Sequence, residues 1–251
     1  MLSDYHGAED ILPALEEAIE NEEIELIAYC GDTVKGYARG DEWLASLREK
    51  RKPRRDLPSI KDEAVEDELL YRKFFFNLNG FGIPVVAIPG NMDAPVERYR
   101  KAISEFPNIQ DVHGKIFRYN GFTFFGYGGE IGDMEEKELV FISKGEDVLK
   151  LFEQNLKGEK EKPIFLLHQP PVSKIDIDPK TQKHIGSPFV NKIIEKHNPL
   201  FVFCGHAHAG AGQDTIGNTL VINPGALKKG RYAVLDTDSK RVYFPSPLKI
   251  L

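Results

Sequence analysis

Apolar residues in this chain follow two spacings. In ILPALEEAIENEE (11–23), Ile11, Leu12, Leu15, Ala18 and Ile19 recur at helical intervals, which predicts an amphipathic helix. Elsewhere apolar residues are consecutive and the runs are short: IELIAYC (24–30), IPVVAIPG (83–90), KPIFLLHQPP (162–171) and PLFVFCG (199–205). Each run stops at Gly or Pro and is short for a helix, so each reads as a strand buried on both faces. Helical segments separate them, at 60–78, 94–106, 146–157 and 187–197. Strands alternating with helices predict an α/β chain with helices covering the sheet.

A different texture interrupts this alternation. KIFRYNGFTFFGYGG (115–129) predicts a hairpin turning at Asn120-Gly121. The C-terminal region predicts further hairpins, with turns at Gly217-Asn218 and near Asp236 to Ser239. Strands therefore come from both halves of the chain, and two packed sheets flanked by helices accommodate them. No internal repeat or linker is visible, so one domain over 1–251 is expected, carrying a charged, helix-containing excursion at 36–70. Within that excursion REKRKPRR (48–55) is basic and KDEAVEDE (61–68) acidic. The pair reads as a solvated surface, with a lid or phosphate-steering patch as the functional alternative.

Composition narrows the classes. The 251 residues carry a net charge of −6, which disfavours general binding to nucleic acid. Two cysteines, Cys30 and Cys204, imply no disulfide framework and read as small buried strand-end residues. No segment reads as a signal peptide or reaches membrane-spanning length, so a cytoplasmic protein without membrane contact is expected. Oligomeric state is not readable, and a homo-oligomer stays open.

The chemistry collects where the strands end. Asp4 and His6 follow the first residues; Gly31-Asp32, Gly90-Asn91 with Asp93, His168, and Gly205-His206 with His208 follow the four apolar runs. In open α/β sheets such positions share the carboxyl edge, where ligands sit. Carboxylates, an amide oxygen and imidazoles suit first-row divalent metals. There are ligands enough for two ions, with Asp32 able to bridge them. Glycines before Asp32, Asn91 and His206 permit sharp turns back towards the site. Any one of these histidines alone reads as an ordinary hydrogen-bonded residue; the ordered set does not.

The ordered blocks DYH, GD, GNMD, LLHQPP and GHAH resemble the signature of the calcineurin-like metallophosphoesterase superfamily, and INPGALKKGRYAVLD is similar to its small bacterial and archaeal phosphodiesterase-like branch. The resemblance spans residues 4 to 208. It implies a two-sheet sandwich flanked by helices and a phosphoesterase that uses a hydroxide held between two divalent ions. Carried over by position, Asp4, His6, Asp32 and His208 would hold one ion, and Asp32, Asn91, His168 and His206 the other. Asp32, Asn91 and His206 would also be catalytic, and Asp93 would orient its neighbours. Manganese is the expected metal; iron, nickel, zinc and cobalt suit the same ligands.

Two departures matter. Met92 stands where many members have a histidine, and a thioether cannot replace its proton chemistry. Branch members lacking that histidine are associated with phosphodiesters, so a preference for diesters over monoesters is expected, on a small phosphate ester or nucleotide. Only Met1, Leu2 and Ser3 precede Asp4, so the first strand is very short or its start is truncated. His184, just before the Ser187-Pro188 helix start, is a candidate to approach substrate in place of the missing acid. His113 and His197 read as surface or boundary residues, Glu130 as solvated and Asn223 as a turn residue. A non-catalytic scaffold of the same fold and a nuclease on single-stranded nucleic acid are the competing readings.

Overall fold

The computed structural model describes residues 1–249. In chain order the elements are α1 (Leu12–Glu20), β1 (Ile27–Tyr29), α2 (Tyr37–Arg48), α3 (Pro58–Gly80), β2 (Val85–Ala87), α4 (Val96–Ile103), β3 (Ile109–Asp111), β4 (Ile116–Tyr119) and β5 (Phe122–Tyr127). There follow β6 (Glu130–Gly132), β7 (Ile142–Lys144), α5 (Gly145–Asn155), β8 (Ile164–Leu167), α6 (Pro188–His197), β9 (Phe201–Phe203), β10 (Gly212–Ile216), β11 (Thr219–Asn223), β12 (Val234–Asp236) and β13 (Arg241–Tyr243).

Two sheets form the centre. The first is parallel, in the order β1-β2-β3; the second runs β10-β11-β9-β8-β5-β4. In the second sheet β5, β8, β9 and β11 are mutually parallel, and the outermost strands β4 and β10 pair antiparallel with their neighbours. Alternation along each strand sorts its side chains between two layers. Ala28, Cys30, Val86 and Ile88 of the first sheet meet Phe124, Ile164, Leu166 and Phe203 of the second, closing the sandwich. Ile27, Tyr29, Val85 and Ala87 face the opposite way, onto Leu15 of α1, Phe74 and Phe75 of α3 and Tyr99 of α4. Phe125, Phe165 and Val202 face outward from the second sheet onto Val148 and Phe152 of α5 and Ile193 of α6. The helix–sheet–sheet–helix order is the predicted one.

The short, fully apolar strands need this double cover, because no face of β1, β2, β8 or β9 is exposed. They are shorter than the apolar runs that announced them. Pro84 and Pro89 bracket β2, and proline has no N–H for the ladder. The predicted first strand is a single parallel bridge from Leu2 to Tyr29. The helix start at Ser187 is as read: its hydroxyl accepts from the Phe189 N–H at 3.2 Å, with Pro188 in the first turn. Among the described residues no helix is long and apolar enough to cross a membrane.

The two charged runs are mostly exposed, as read, but the excursion also buries charge. Arg39 on α2 is fully buried and meets Asp67 at 2.5 Å and Glu63 at 3.2 Å on α3. Arg51 and Arg54 converge on buried Glu42, and Arg55 pairs with Glu136 and Glu138. Arg51, Arg54 and Arg55 of the basic run and Glu63 and Asp67 of the acidic run are spent on buried partners. Charge pattern alone carries no record of such pairing.

Candidate metal centre

The parallel strands deliver their carboxyl ends to one edge, and the loops there are strained. Nine non-glycine residues among those described have positive φ, and four of them are Asp4 (58°), His6 (47°), Asp32 (61°) and His206 (63°). L residues in this region are held against a steric cost, and such residues cluster at functional sites. The glycines act differently from one another. Gly31 takes φ +91°, which a side chain rarely allows. Gly90 and Gly205 are required for close approach: a Cβ at Gly90 would collide with Asp32, and one at Gly205 with Ser3.

Asp93 ties these loops together from below. One carboxylate oxygen accepts from the N–H groups of Asp32 (2.9 Å) and Gly90 (2.6 Å); the other accepts from the Thr33 N–H (3.0 Å) and the Tyr71 hydroxyl (3.0 Å). It therefore fixes the loops bearing Asp32 and Asn91, in keeping with the orienting role expected of it.

The side-chain donor atoms converge above it. Oxygen and nitrogen atoms of Asp4, His6, Asp32 and His208 all lie within 4.8 Å of one another. His6 Nε2 is 3.0 Å from His208 Nε2 and 3.4 Å from Asp32 Oδ2, while His208 Nε2 is 3.2 Å from Asp4 Oδ1. His168 Nε2 is 3.5 Å from the same Oδ2 and 2.9 Å from Asn91 Oδ1. His206 Nδ1 approaches that Asn91 oxygen at 3.2 Å. The structure thus brings together all seven predicted ligands.

Backbone carbonyls orient two of the rings. His6 Nδ1 faces the Val34 carbonyl at 3.2 Å and His168 Nδ1 faces the Cys30 carbonyl at 2.6 Å. An Nδ1–H donated to each carbonyl leaves an Nε2 lone pair pointing into the cluster. Asp4 is held by the His206 N–H, and Asp32 Oδ1 accepts from the Met92 N–H at 2.8 Å. Lone pairs of carboxylate, amide and imidazole groups facing one another at these distances call for a cation, and the donor set fits a divalent metal.

The electrostatics have the same sign. Burial opposes charge on Asp4 and Asp32, yet the facing histidines hold both carboxyls below their usual range. Burial also opposes charge on His168, but Asp32 and Asp4 push it up to about 9. Burial lowers His6 and His206. Asp93, buried and repelled by Asp32, is raised to about 6.

Other residues fall differently from the sequence reading. His184 holds Nδ1 2.7 Å from Asp176 Oδ1, and its side chain is half exposed. His113, read as a surface or boundary residue, is buried and accepts the Gly128 N–H at 2.9 Å, holding the glycine loop. Asn223 is more than a turn residue: fully buried, it donates to the Ala207 carbonyl between His206 and His208 and accepts the Gly225 N–H. Lys228 was missed. It is half-buried, its N–H donates to the Asp4 carbonyl, and burial lowers its ammonium pKa against the pull of Asp4 and Asp32. Glu130 begins β6 and is half-buried. Cys30 and Cys204 are buried free thiols, as expected.

Comparison with known proteins agrees with this architecture. An uncharacterized protein of Methanocaldococcus jannaschii is 31% identical over 171 residues, 63% of this chain and 70% of that protein. One solved crystal structure superposes with a TM-score of 0.88 at 27% identity, covering 98% of this chain and 97% of the other. A crystal structure of a Thermus thermophilus protein gives 0.75 at 22% identity, covering 97% and 96%, and is a likeness of fold. A family model described as metallophosphoesterase, calcineurin superfamily, matches residues 1–246. The match takes in both sheets and every loop that carries a donor, and the chain belongs to the calcineurin superfamily of metallophosphoesterases.

Proposed function

We propose that the chain is a phosphoesterase that uses two divalent ions and prefers phosphodiesters to monoesters. The observation carrying this reading is the position of Asp32 Oδ2, 3.4 Å from His6 Nε2 and 3.5 Å from His168 Nε2. Asp4, His6, Asp32 and His208 would hold one ion; Asp32, Asn91, His168 and His206 would hold the second. Manganese is the metal we expect. Bound there, the ions would neutralise phosphoryl oxygens and make a bound water acidic enough to attack phosphorus in line.

The chain's own part is positioning. The carbonyls of Val34 and Cys30 keep the His6 and His168 rings from turning. Asp93 sets the separation of the Asp32 and Asn91 loops and is a positioning residue. Met92 offers no proton to a departing group. The looser transition state of a monoester puts more charge on the departing oxygen, so the missing proton donor costs monoesters more, which favours diesters. A small ester or nucleotide is the substrate; nucleic acid is not expected, because the net charge is −6 and Arg51, Arg54 and Arg55 of the basic run pair within the chain. We assign His184 to Asp176 rather than to substrate.

Calorimetric titration with manganese tests the site: two equivalents per chain are expected for the native protein and weakened uptake for Asp32→Asn. With manganese present, bis(4-nitrophenyl) phosphate should turn over faster than 4-nitrophenyl phosphate. Equal turnover would overturn the diester preference, and absence of metal uptake would overturn the whole reading. His184→Ala should leave kcat unchanged.

A further inference from the structure

Helix α2 is inside out. Its buried residues are the polar Arg39, Glu42 and Ser46, whereas Tyr37, Leu44 and Leu47 are 57%, 63% and 45% exposed. A surface helix ordinarily turns its apolar stripe to the core. Here positions 37, 40, 41, 44 and 47, spaced three and four apart, form a stripe that faces a groove of about 500 Å³. The far wall is built by Ile131, Met134, Val140 and Ile142, and Met134 is a further exposed apolar residue. Four of the ten large apolar residues left exposed among those described thus line one groove. Scattered exposed apolar residues are ordinary, but a contiguous set is a binding surface.

The groove is continuous with the metal centre. Asn91, Met92 and Gln169 form its inner end, and Asn91 Oδ1 is the atom shared by His168 and His206. The Met92 side chain packs against Gly36 and Gly40 at the start of α2, where any side chain would crowd it. The charge of the lining fixes the chemistry of its occupant. Among the described residues, the only charged ones in the lining are Asp41 and Glu130, and no Lys, Arg or His is present. A second phosphate or any polyanion would be repelled, whereas Tyr37, Trp43 and the thioethers of Met92 and Met134 suit an aromatic ring. The volume lies within the range of small-molecule sites. A larger cavity of about 800 Å³ lies elsewhere, lined by Leu26 before β1 and by Asn120 and Phe122 at the start of β5, and among the described residues it shares none with the metal centre.

We propose that this groove binds the uncharged, apolar half of the phosphate ester and so selects aryl-bearing esters with a single phosphate. The inference rests on the phosphoesterase reading above. Trp43, the only tryptophan in the chain, lines the groove and reports its occupancy without turnover.

Two measurements test it. In the first, chelated protein is titrated with bis(4-nitrophenyl) phosphate, with inner-filter correction against free tryptophan; saturable quenching of Trp43 is expected, and none with inorganic phosphate. Leu44→Lys, at an exposed position whose replacement removes no core contact, should weaken that quenching. In the second, the manganese-loaded protein hydrolyses methyl, phenyl and 1-naphthyl 4-nitrophenyl phosphate, which share one leaving group. The kcat/KM ratio of naphthyl to methyl ester should be about tenfold or more, the scale that buried apolar area gives, and should fall towards one in Leu44→Lys. A flat series together with unsaturable quenching overturns the inference even if all three esters are hydrolysed. Saturable quenching lost in Leu44→Lys, with no ester hydrolysed, upholds the groove and overturns the hydrolytic reading instead. A dimer in sedimentation that Leu44→Lys dissociates would assign the stripe to a second copy and overturn the inference.

Discussion

Acid should destabilise this protein through a residue outside the metal centre. His113 is 7% exposed, and its Nδ1 accepts the Gly128 N–H at 2.9 Å, so only the neutral ring fits. Burial lowers its pKa from 6.5 to about 4; Asp111 opposes the shift, while Arg100 and Lys115 add to it. The unfolded chain takes up this proton near pH 6.5, and the folded chain only near pH 4. Folded stability from His113 is therefore present in full above the unfolded value and is lost as pH falls through that window. At about 1.4 kcal/mol per pH unit, the gap corresponds to about 3 kcal/mol. The perturbation is His113→Asn, which keeps an acceptor near Nδ1 but does not titrate. Urea unfolding of both proteins, in chelator and from pH 7.5 to pH 4, gives a difference curve in which the shared acidic cluster cancels. Native protein should lose about 3 kcal/mol more than the variant across that range. The constant cost of the smaller side chain shifts the curve without changing its slope. Parallel curves would refute the buried-acceptor assignment, as would an NMR titration of the His113 ring above pH 6.

Three further outcomes follow from the packing around the donors. Gly90→Ala drives a methyl into the backbone nitrogen and Oδ1 of Asp32, so it should cost about 1–3 kcal/mol in urea unfolding and weaken manganese uptake in calorimetry. Arg39→Met leaves Glu63 and Asp67 buried without their main cation and should cost about 3–5 kcal/mol, with Arg98, 3.1 Å from Asp67, holding the loss towards the lower figure. The same variant frees the Met92 carbonyl, which Arg39 binds at 2.9 Å, so proteolysis near Met92 should quicken. Asn223→Ala orphans the Gly225 N–H and leaves the Ala207 carbonyl with the Gly210 N–H alone, so it should cost about 1–3 kcal/mol, with manganese affinity falling because His206 and His208 flank Ala207.

What could be read from the sequence was what depends on local pattern. The four apolar runs located β1, β2, β8 and β9, and the polar residue ending each run located a donor, because parallel strands put their carboxyl ends on one edge. The hairpin turns at Asn120-Gly121 and Gly217-Asn218 were readable for the same reason. Residues whose role is set by a partner distant in sequence were not. Arg39 looks like a surface cation until Asp67 is seen beside it, 28 positions away, and His113 looks solvated until the Gly128 N–H is found on its ring. The same limit separates the two halves of the site. The donor end is written in five short blocks. The groove end depends on α2 burying its charges and exposing its leucines, a choice visible only once Glu63 and Asp67 on α3 claim Arg39. Glu42, held by Arg51 and Arg54, makes a second such claim on the same helix face. Those buried ion pairs cost desolvation that an apolar interface would not. Their use here turns the apolar stripe of α2 outward, beside Asn91, where an uncharged aryl group can reach it.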